Sequence, residues 1–274
     1  MSRLAEYADA RELTLNLTLR ELRGKYKRSV LGWTWSLINP LSTVVIFSII
    51  FSLFLKIEPP TGDPSGLHSF PLFLLCGLLC WNFFATGTVS SIGSLIANSN
   101  LIKKVYFPRE VLVASTVASV LVAFAVEMLV LCIVLMAFGN MVLPWIPMAL
   151  VLMAIEMVFV LGIGLALSVV NVYFRDVEHF VNIGLQALFY SAPIVYPIRY
   201  VPRHGHVLGL SIPVRTIYEL NPLVKFVSAF RNVLYDLRFP PIGDIGYLVA
   251  WSAAMLVLGL WVFSKLERRL AEEL

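Results

Sequence analysis

The stretch VLVASTVASVLVAFAVEMLVLCIVLMAF, residues 111–138, contains a single charged side chain, Glu127. A helix crosses the roughly 30 Å hydrocarbon core of a bilayer in about 20 residues, so this stretch is long enough to span a membrane. Five other apolar runs approach or exceed that length: Leu37–Leu55, Phe70–Val89, Met148–Val172, Phe180–Tyr196 and Ile245–Phe263. We therefore predict an all-α integral membrane protein with six transmembrane helices within residues 37–263.

The composition favours the same class. Charged residues make up 14% of the chain, whereas a soluble domain carries about 25%. The apolar runs lack the alternation of barrel strands, and lipid requires each segment to satisfy its own backbone hydrogen bonds, so helices are expected. The first run starts only near Leu37, much later than the apolar core of a secretory signal. We expect this first span to be retained.

The distribution of Lys and Arg predicts the orientation. With a cytoplasmic N-terminus, fourteen basic residues fall inside and seven outside, and seven of the inner ones precede the first span. The loop 198–244 is itself basic, but charges next to the first helix usually dominate insertion. Both termini are therefore predicted to face the cytoplasm, with residues 264–274 as a short tail.

Residues 1–36 are predicted to form a cytoplasmic amphipathic helix in the headgroup layer. Leu15, Leu19, Leu22 and Tyr26 recur at helical spacing, and basic residues cover the remaining arc. These basic residues are Arg20, Arg23, Lys25, Lys27 and Arg28. The leucines from residue 13 to 19 also fit the alternation of a strand. A simple anchor and a functional gate or docking helix remain open interpretations.

The segment 98–110 is too polar and too short to span, yet it carries large apolar residues. A short helix ending before Pro108 would offer these side chains and two lysines to a partner; the alternative is a surface turn. The residues concerned are Leu101, Ile102, Lys103, Lys104, Val105, Tyr106, Phe107, Pro108 and Arg109.

The predicted outer segment, residues 212–240, contains a second amphipathic piece. Asn221 and Pro222 suit a helix cap and first turn, and an apolar stripe follows. The stripe consists of Leu223, Phe226, Val227, Phe230 and Leu234. This piece is too short to span, so it should lie on the outer leaflet or re-enter it. Ser191-Ala192-Pro193 and Tyr196-Pro197 predict that the fifth span is broken or kinked at its outer end.

The sequence offers no catalytic or metal-binding constellation. The only Gly-Lys pair is Gly24–Lys25, and the first glycine of a phosphate-binding loop would have to stand at Leu19. Three cysteines, Cys76, Cys80 and Cys132, lie in predicted spans and are expected to pack as small apolar side chains. Glu127 and Glu156 lie in spans and must be neutral, paired or shielded from lipid; packing roles are favoured. We expect neither catalytic residues nor a metal.

Several stretches, in chain order, resemble permeases of the ABC-2 class that export polysaccharides. The resemblance rests on Arg20–Gly32 with Trp35 and Asn39-Pro40, on Leu101–Arg109, on Phe174-Arg175-Asp176 with Gln186 and Ser191–Ile194, and on Asn221-Pro222-Leu223 with Phe230-Arg231.

This resemblance implies a half-transporter in the bacterial cytoplasmic membrane. Two copies would pair with two copies of a separate P-loop ATPase, which would bind the ATP and Mg²⁺; this chain would hold no cofactor. The substrate would be a glycan linked to a polyprenyl diphosphate lipid. Residues Leu101–Arg109 would couple to the ATPase, and Arg20–Arg28 would lie beside the entrance. The outer gate would include Asn221, Pro222, Phe226, Phe230 and Arg231.

A glycan pore needs flat apolar faces on which sugars stack without being held. Candidate residues are Trp81, Phe83, Phe84, Phe189, Tyr190 and Tyr196; packing in the core or against lipid is the alternative for each. The basic N-terminal helix would attract a diphosphate headgroup. Nucleic acid is not expected as a partner.

Three other functions compete with polysaccharide export. The nearest is an ABC-2 exporter of a small lipid or drug, followed by a secondary transporter or channel and by a membrane-embedded glycosyltransferase or lipid-phosphate enzyme.

Overall fold

The computed structural model describes residues 3–26, 32, 34–54, 60–105, 107–202, 205–207, 210–267 and 270–273. Three predicted site residues, Lys27, Arg28 and Tyr106, lie outside these ranges. The long helices are α1 (Arg3–Tyr26), α2 (Thr34–Ser48, continued by a π-helix over Ile49–Phe54), α3 (Phe70–Ala97), α5 (Glu110–Ala137), α6 (Ile146–Tyr173), α7 (Val177–Ser191), α9 (Pro222–Arg231) and α10 (Ile242–Leu266). The short ones are α4 (Ser99–Lys104), α8 (Val214–Glu219) and α11 (Leu270–Glu273).

Four of these helices are long and apolar enough to cross a membrane: α3, α5, α6 with the 3₁₀ turn that precedes it, and α10. They cover four of the six predicted runs. Each has at least 25 residues, so each is about 37 Å long or more. The membrane-protein class follows from these four helices, while the count of six spans remains a prediction.

The fifth predicted span is shorter than its apolar run. Helix α7 ends at Ser191, and Ala192 has an extended backbone. Because a residue that precedes proline is disfavoured in the α conformation, Pro193 ends the helix here. The predicted break at the outer end of this span is confirmed and lies at residues 191–193, but the extension of the span as a helix to Tyr196 is wrong. Fifteen residues give a helix of about 22 Å.

Helix α3 lies at the centre of the fold and packs on α2, α5, α6, α7 and α9. Helices α6 and α10 make the closest helix pair, because both carry glycine at the contact. A Cβ atom on Gly259 would lie 2.1 Å from the carbonyl oxygen of Gly162. Small residues at such a crossing let two backbones touch, as is common in membrane bundles.

The predicted outer segment folds into the protein. Asn221 caps α9 by accepting a hydrogen bond from the amide of Leu223 at 3.0 Å, which confirms the predicted helix start. The helix continues through a π-helical turn, Asn232–Asp236. Its apolar stripe is buried against α3 and α6, so other helices cover it. A two-stranded antiparallel ladder, β1 (Gly205–Val207) with β2 (Leu210–Ile212), is the exception to the all-helical prediction.

Glu156 is fully buried between α3 and α6. Its Oε1 accepts a hydrogen bond from the thiol of Cys80 at 3.2 Å, while Oε2 has no partner among the described residues. Cys80 therefore serves as a hydrogen-bond donor to an acid inside the bundle, and does more than the predicted apolar packing.

Candidate functional site

A cleft between α3 and α7 is the main cavity of functional interest. Its volume is about 470 Å³, and it is lined from α3 by Trp81, Ala85, Thr86, Val89 and Ser90 and from α7 by Asn182, Leu185, Gln186, Phe189 and Tyr190. Leu185 is the buried residue of α7. Helix α7 therefore contacts α3 mainly through the side that carries Leu185, and the cleft lies along this contact.

The lining of this cleft combines aromatic rings with uncharged hydrogen-bonding groups. The rings of Trp81 and Phe189 meet edge to face, with centroids 5.6 Å apart, and the ring of Tyr190 stands 5.3 Å from that of Phe189. Two amides (Asn182 and Gln186) and three hydroxyls (Thr86, Ser90 and Tyr190) supply donors and acceptors. An apolar ring face beside neutral polar groups suits a sugar, which has a C–H face and a hydroxyl rim.

Three of the six predicted pore aromatics line the cleft, namely Trp81, Phe189 and Tyr190. The polar residues of the lining, apart from Gln186, were missed. A usable signal existed in the sequence: Thr86 and Ser90, and likewise Asn182 and Gln186, are four residues apart. Each pair therefore lies on one face of an otherwise apolar helix.

The other three predicted pore aromatics do not line the cleft. Phe83 stacks on Phe124 with centroids 4.8 Å apart, and Phe84 packs on Phe159 at 5.9 Å. Both belong to the hydrophobic core, as does the buried Trp81, which differs from them in also lining the cleft. Tyr196 donates a hydrogen bond to the carbonyl of Tyr190 at 3.1 Å, and its hydroxyl also meets that of Tyr218.

These core aromatics connect the cleft helix α3 with α9. Phe124 contacts Phe230 at 6.0 Å between ring centroids, and Phe159 contacts Phe226 at 5.6 Å. Phe226 and Phe230 are predicted gate residues, and both are fully buried. The outer segment is joined to the cleft wall by continuous ring contacts.

Arg231, another predicted gate residue, is a buried cation at the end of α9. Its guanidinium donates hydrogen bonds to the carbonyls of Phe73, Pro193 and Ile194. The guanidinium carbon lies 3.7 Å from the centre of the Phe73 ring, where a cation–π attraction acts. Arg231 therefore contacts the start of α3 and the segment that follows α7.

Side chains from two loops hold the π-helical turn after α9. The Ser65 hydroxyl donates to the carbonyl of Tyr235 at 2.6 Å, and the Asn140 amide donates to that of Leu234 at 2.8 Å. Asp236 lies in the same turn, and burial raises the pKa of its carboxyl. The Arg238 guanidinium, 3.3 Å from that carboxyl, lowers the same pKa and so opposes the effect of burial.

The predicted coupling segment divides into an anchored and an exposed part. Ile102 is buried in a second apolar cluster with Leu17 of α1 and Leu270 of α11, and Leu101 and Phe107 pack against that cluster. Arg109 donates a hydrogen bond to the carbonyl of Glu267 at 2.5 Å. Lys103, Lys104 and Val105 are exposed, and Pro108 is half-buried.

Helix α1 is helical from Arg3 onward, which excludes a strand over residues 13–19. It packs on α5 and buries Leu17 and Leu22, whereas Leu15 and Leu19 are exposed. The predicted apolar stripe of α1 is therefore wrong at Leu22, which faces the protein. The buried face of α1 contains Leu17 and Leu22 and lies next to the exposed face that contains Leu15 and Leu19.

The predicted headgroup residues of α1 differ in their surroundings. The guanidinium of Arg20 contacts the carboxyl of Glu21 at 3.1 Å and the side-chain oxygen of Asn98. Arg23 is exposed. Lys25 and Tyr26 belong to the last turn of α1.

Comparison with known proteins identifies relatives along nearly the whole chain. The family described as "ABC-2 type transporter" matches residues 12–235. An O-antigen export system permease protein RfbA of Klebsiella pneumoniae is 31% identical over 95% of this chain and 94% of its own length. One of the same name from Myxococcus xanthus is 28% identical over 96% and 94%. The polysialic acid transport protein KpsM of Escherichia coli is 26% identical over 90% of each chain.

Proposed function

The chain belongs to the ABC-2 type transporter family, and from this premise we propose that it is the permease subunit of a polysaccharide exporter. The observation that carries the proposal is the cleft between α3 and α7, in a chain whose relatives are named for O-antigen export and polysialic acid transport. Stacking rings with neutral amides and hydroxyls bind any sugar weakly. This suits a polymer that must keep moving.

We propose that two copies of the chain form the pore. Helix α7 leaves large apolar side chains exposed on the side away from α3, including Phe180 and Ile183, and α2 does the same with Val45 and Ile46. A second copy would cover part of this surface and close the cleft into a channel. Lipid would cover the remainder.

The energy source in this proposal is a separate ATPase that docks on α4. Ile102 and Arg109 fix the segment to the protein, while Lys103 and Lys104 point outward. Only Asn98 separates the end of α3 from the start of α4. A displacement of α4 by the ATPase would therefore be transmitted directly to α3. ATP and Mg²⁺ would be bound by that partner.

The proposed substrate carries a polyprenyl diphosphate lipid, whose anionic headgroup would be attracted to the basic face of α1. Arg23 is an exposed cation of that face. Arg20 is the weaker candidate, because its guanidinium already contacts a carboxylate and an amide oxygen. Exchanging Arg23 for Glu should lower export without reducing the amount of assembled transporter.

The experiment is ATP-driven transport into vesicles that contain the permease and its ATPase, with a fluorescent lipid-linked glycan as substrate. We expect Tyr190→Leu, at an exposed ring of the cleft lining, to lower the transport rate about tenfold, since one stacking contact is worth about 1 kcal/mol or more. Val151→Leu, at an exposed apolar position of α6, is the matched control. A wild-type transporter that moves a small lipid or drug but no glycan would favour the alternative ABC-2 function and end this proposal.

A second experiment addresses the docking segment. Replacing both Lys103 and Lys104 by Glu should abolish copurification of the ATPase, because charge reversal places like charges against the partner. Reversal of Lys265, an exposed lysine at the end of α10, is the control. Unchanged copurification of the double variant would contradict the proposed docking surface.

A further inference from the structure

Arg231 is the most unusual buried group of the predicted outer segment. Only 7% of its surface is exposed, although it carries a full charge. Nη1 donates to the carbonyl of Pro193 and Nη2 to that of Ile194, each at 2.5 Å, and Nε donates to that of Phe73 at 3.3 Å. All of these acceptors are backbone carbonyls, so the position of the charge is fixed by the backbone of two other elements.

A buried guanidinium is stable only while its N–H groups keep their acceptors. Two of the three acceptors follow the end of α7 at Ser191, where the helix has stopped. If this segment moved away while α9 stayed in place, the charge would lose both. Separation of the end of α7 from α9 is therefore strongly disfavoured.

Helix α7 is also one wall of the cleft, through Leu185, Gln186 and Phe189. Its other contacts are few, since Leu185 is the buried residue among the fifteen. Any widening of the cleft moves α7 relative to α3. Arg231 holds the segment that follows α7 and also contacts Phe73 of α3. Such a movement must therefore either break its hydrogen bonds to residues 193 and 194, or carry α9 along and give up the contacts with Phe73.

We propose that Arg231 is a positioning residue that makes α9 and the end of α7 move as one body, so that opening of the cleft also displaces the outer segment. This inference rests on the proposed function and deepens it: passage of a sugar along α7 and opening of the outer exit become one event.

Gly77 of α3 completes this arrangement. A Cβ atom there would lie 2.8 Å from Nη2 of Arg231 and 3.1 Å from a methyl group of Val227. Glycine thus provides the space in which the guanidinium reaches its carbonyls. Gly77→Ala pushes the guanidinium off these acceptors while keeping the charge, and it offers an independent way to disturb the same contact. Gly93, on the same helix with open space around it, is the matched control.

The test measures two quantities on the reconstituted transporter: the number of glycans moved per ATP hydrolysed, and hydrogen exchange of the backbone amides within residues 192–196, which are those of Ala192, Ile194, Val195 and Tyr196. For Arg231→Met we expect the transport ratio to fall about tenfold and exchange to rise about tenfold, because the hydrogen bonds to residues 193 and 194 are lost. The ATPase rate and the folded yield should change less than about twofold. Arg231→Lys should give intermediate values, and Arg215→Met, on an arginine of the same predicted segment whose side chain bonds Glu219 one turn along α8, should match the wild type.

Gly77→Ala should reproduce both effects and Gly93→Ala neither, and the double variant Gly77→Ala/Arg231→Met should be no worse than Arg231→Met alone. An unchanged transport ratio in Arg231→Met would overturn the proposal, as would a fall in ATPase rate and transport in equal proportion. If Arg231→Met fails to fold, an unchanged transport ratio in Gly77→Ala would overturn it. Failure of the wild type to move glycan would instead refute the proposed function, and exchange at 192–196 would still decide whether Arg231 holds the segment.

Discussion

Helices α7 and α9 are both short and apolar, both end in the predicted outer half of the protein, and they differ in almost everything else. Seven of the ten residues of α9 are buried, whereas Leu185 is the one buried residue of α7. Helix α9 packs on α3, α6 and α10, and α7 touches mainly α3 and α6. One helix is part of the core and the other lies along its edge.

This difference teaches that apolarity alone does not determine burial in a membrane protein. Lipid and protein interiors are equally apolar, so an exposed isoleucine on α7 costs little in a bilayer. The chain can therefore leave most of α7 exposed, beside a cleft that a polymer or a second copy would fill. It fixes α9 by ring contacts and by the hydrogen bonds of Arg231, and the π-helical turn after α9 by those of Asn140.

The largest effect should come from removing a ring on the α9 side. Phe230→Ala should lower the free energy of unfolding by about 4 kcal/mol, because the ring is fully buried against Phe124. Ile183→Ala on α7, at an exposed position, should change it by less than about 0.5 kcal/mol. Chemical denaturation in detergent measures both, and similar values for the two variants would remove the distinction between core and edge.

A smaller effect on stability is expected from two asparagines: Asn140 binds the turn after α9, and Asn182 lies on α7. Asn140→Ala should lower the free energy of unfolding by about 2 kcal/mol, since the buried amide loses its hydrogen bonds to the carbonyls of Leu234 and Tyr235. The carbonyl of Tyr235 keeps the hydrogen bond from Ser65. Asn182→Ala, in the exposed lining of the cleft, should leave stability unchanged and lower transport. The comparison fails if Asn182→Ala is the more destabilising of the two.

The smallest effect concerns the pH dependence of the turn after α9. Burial raises the pKa of Asp236 above its ordinary value of 3.8, so the folded protein binds this proton more tightly than the unfolded chain does. Its contribution is therefore most favourable below pH 3.8 and declines as the pH rises through the folded pKa. Unfolding measured across that range should show Asp236→Asn gaining stability relative to the wild type as pH increases. A relative loss would reverse the assigned direction.

The four long apolar helices were predictable because a bilayer demands about 20 consecutive apolar residues and each run supplies them. The α9 cap was predictable because Asn221 and Pro222 act locally. The partner of each apolar face was not predictable. Periodicity places Trp81 and Phe83 in α3, but it does not show that Phe83 packs on Phe124 and that Trp81 lines the cleft. Arg20 shows the same limit, since its contact with Asn98 joins residues 78 positions apart.

Photocrosslinking inside the cleft tests the central claim most directly. A photoreactive phenylalanine analogue at Tyr190, where 66% of the side chain is exposed, should capture the labelled glycan during ATP-driven transport. The same group at Phe239, equally exposed but outside the cleft, should not. Capture at residue 190 that requires ATP is the predicted result. Absence of capture there during active glycan transport, or equal capture at residue 239, would contradict a glycan path along α7.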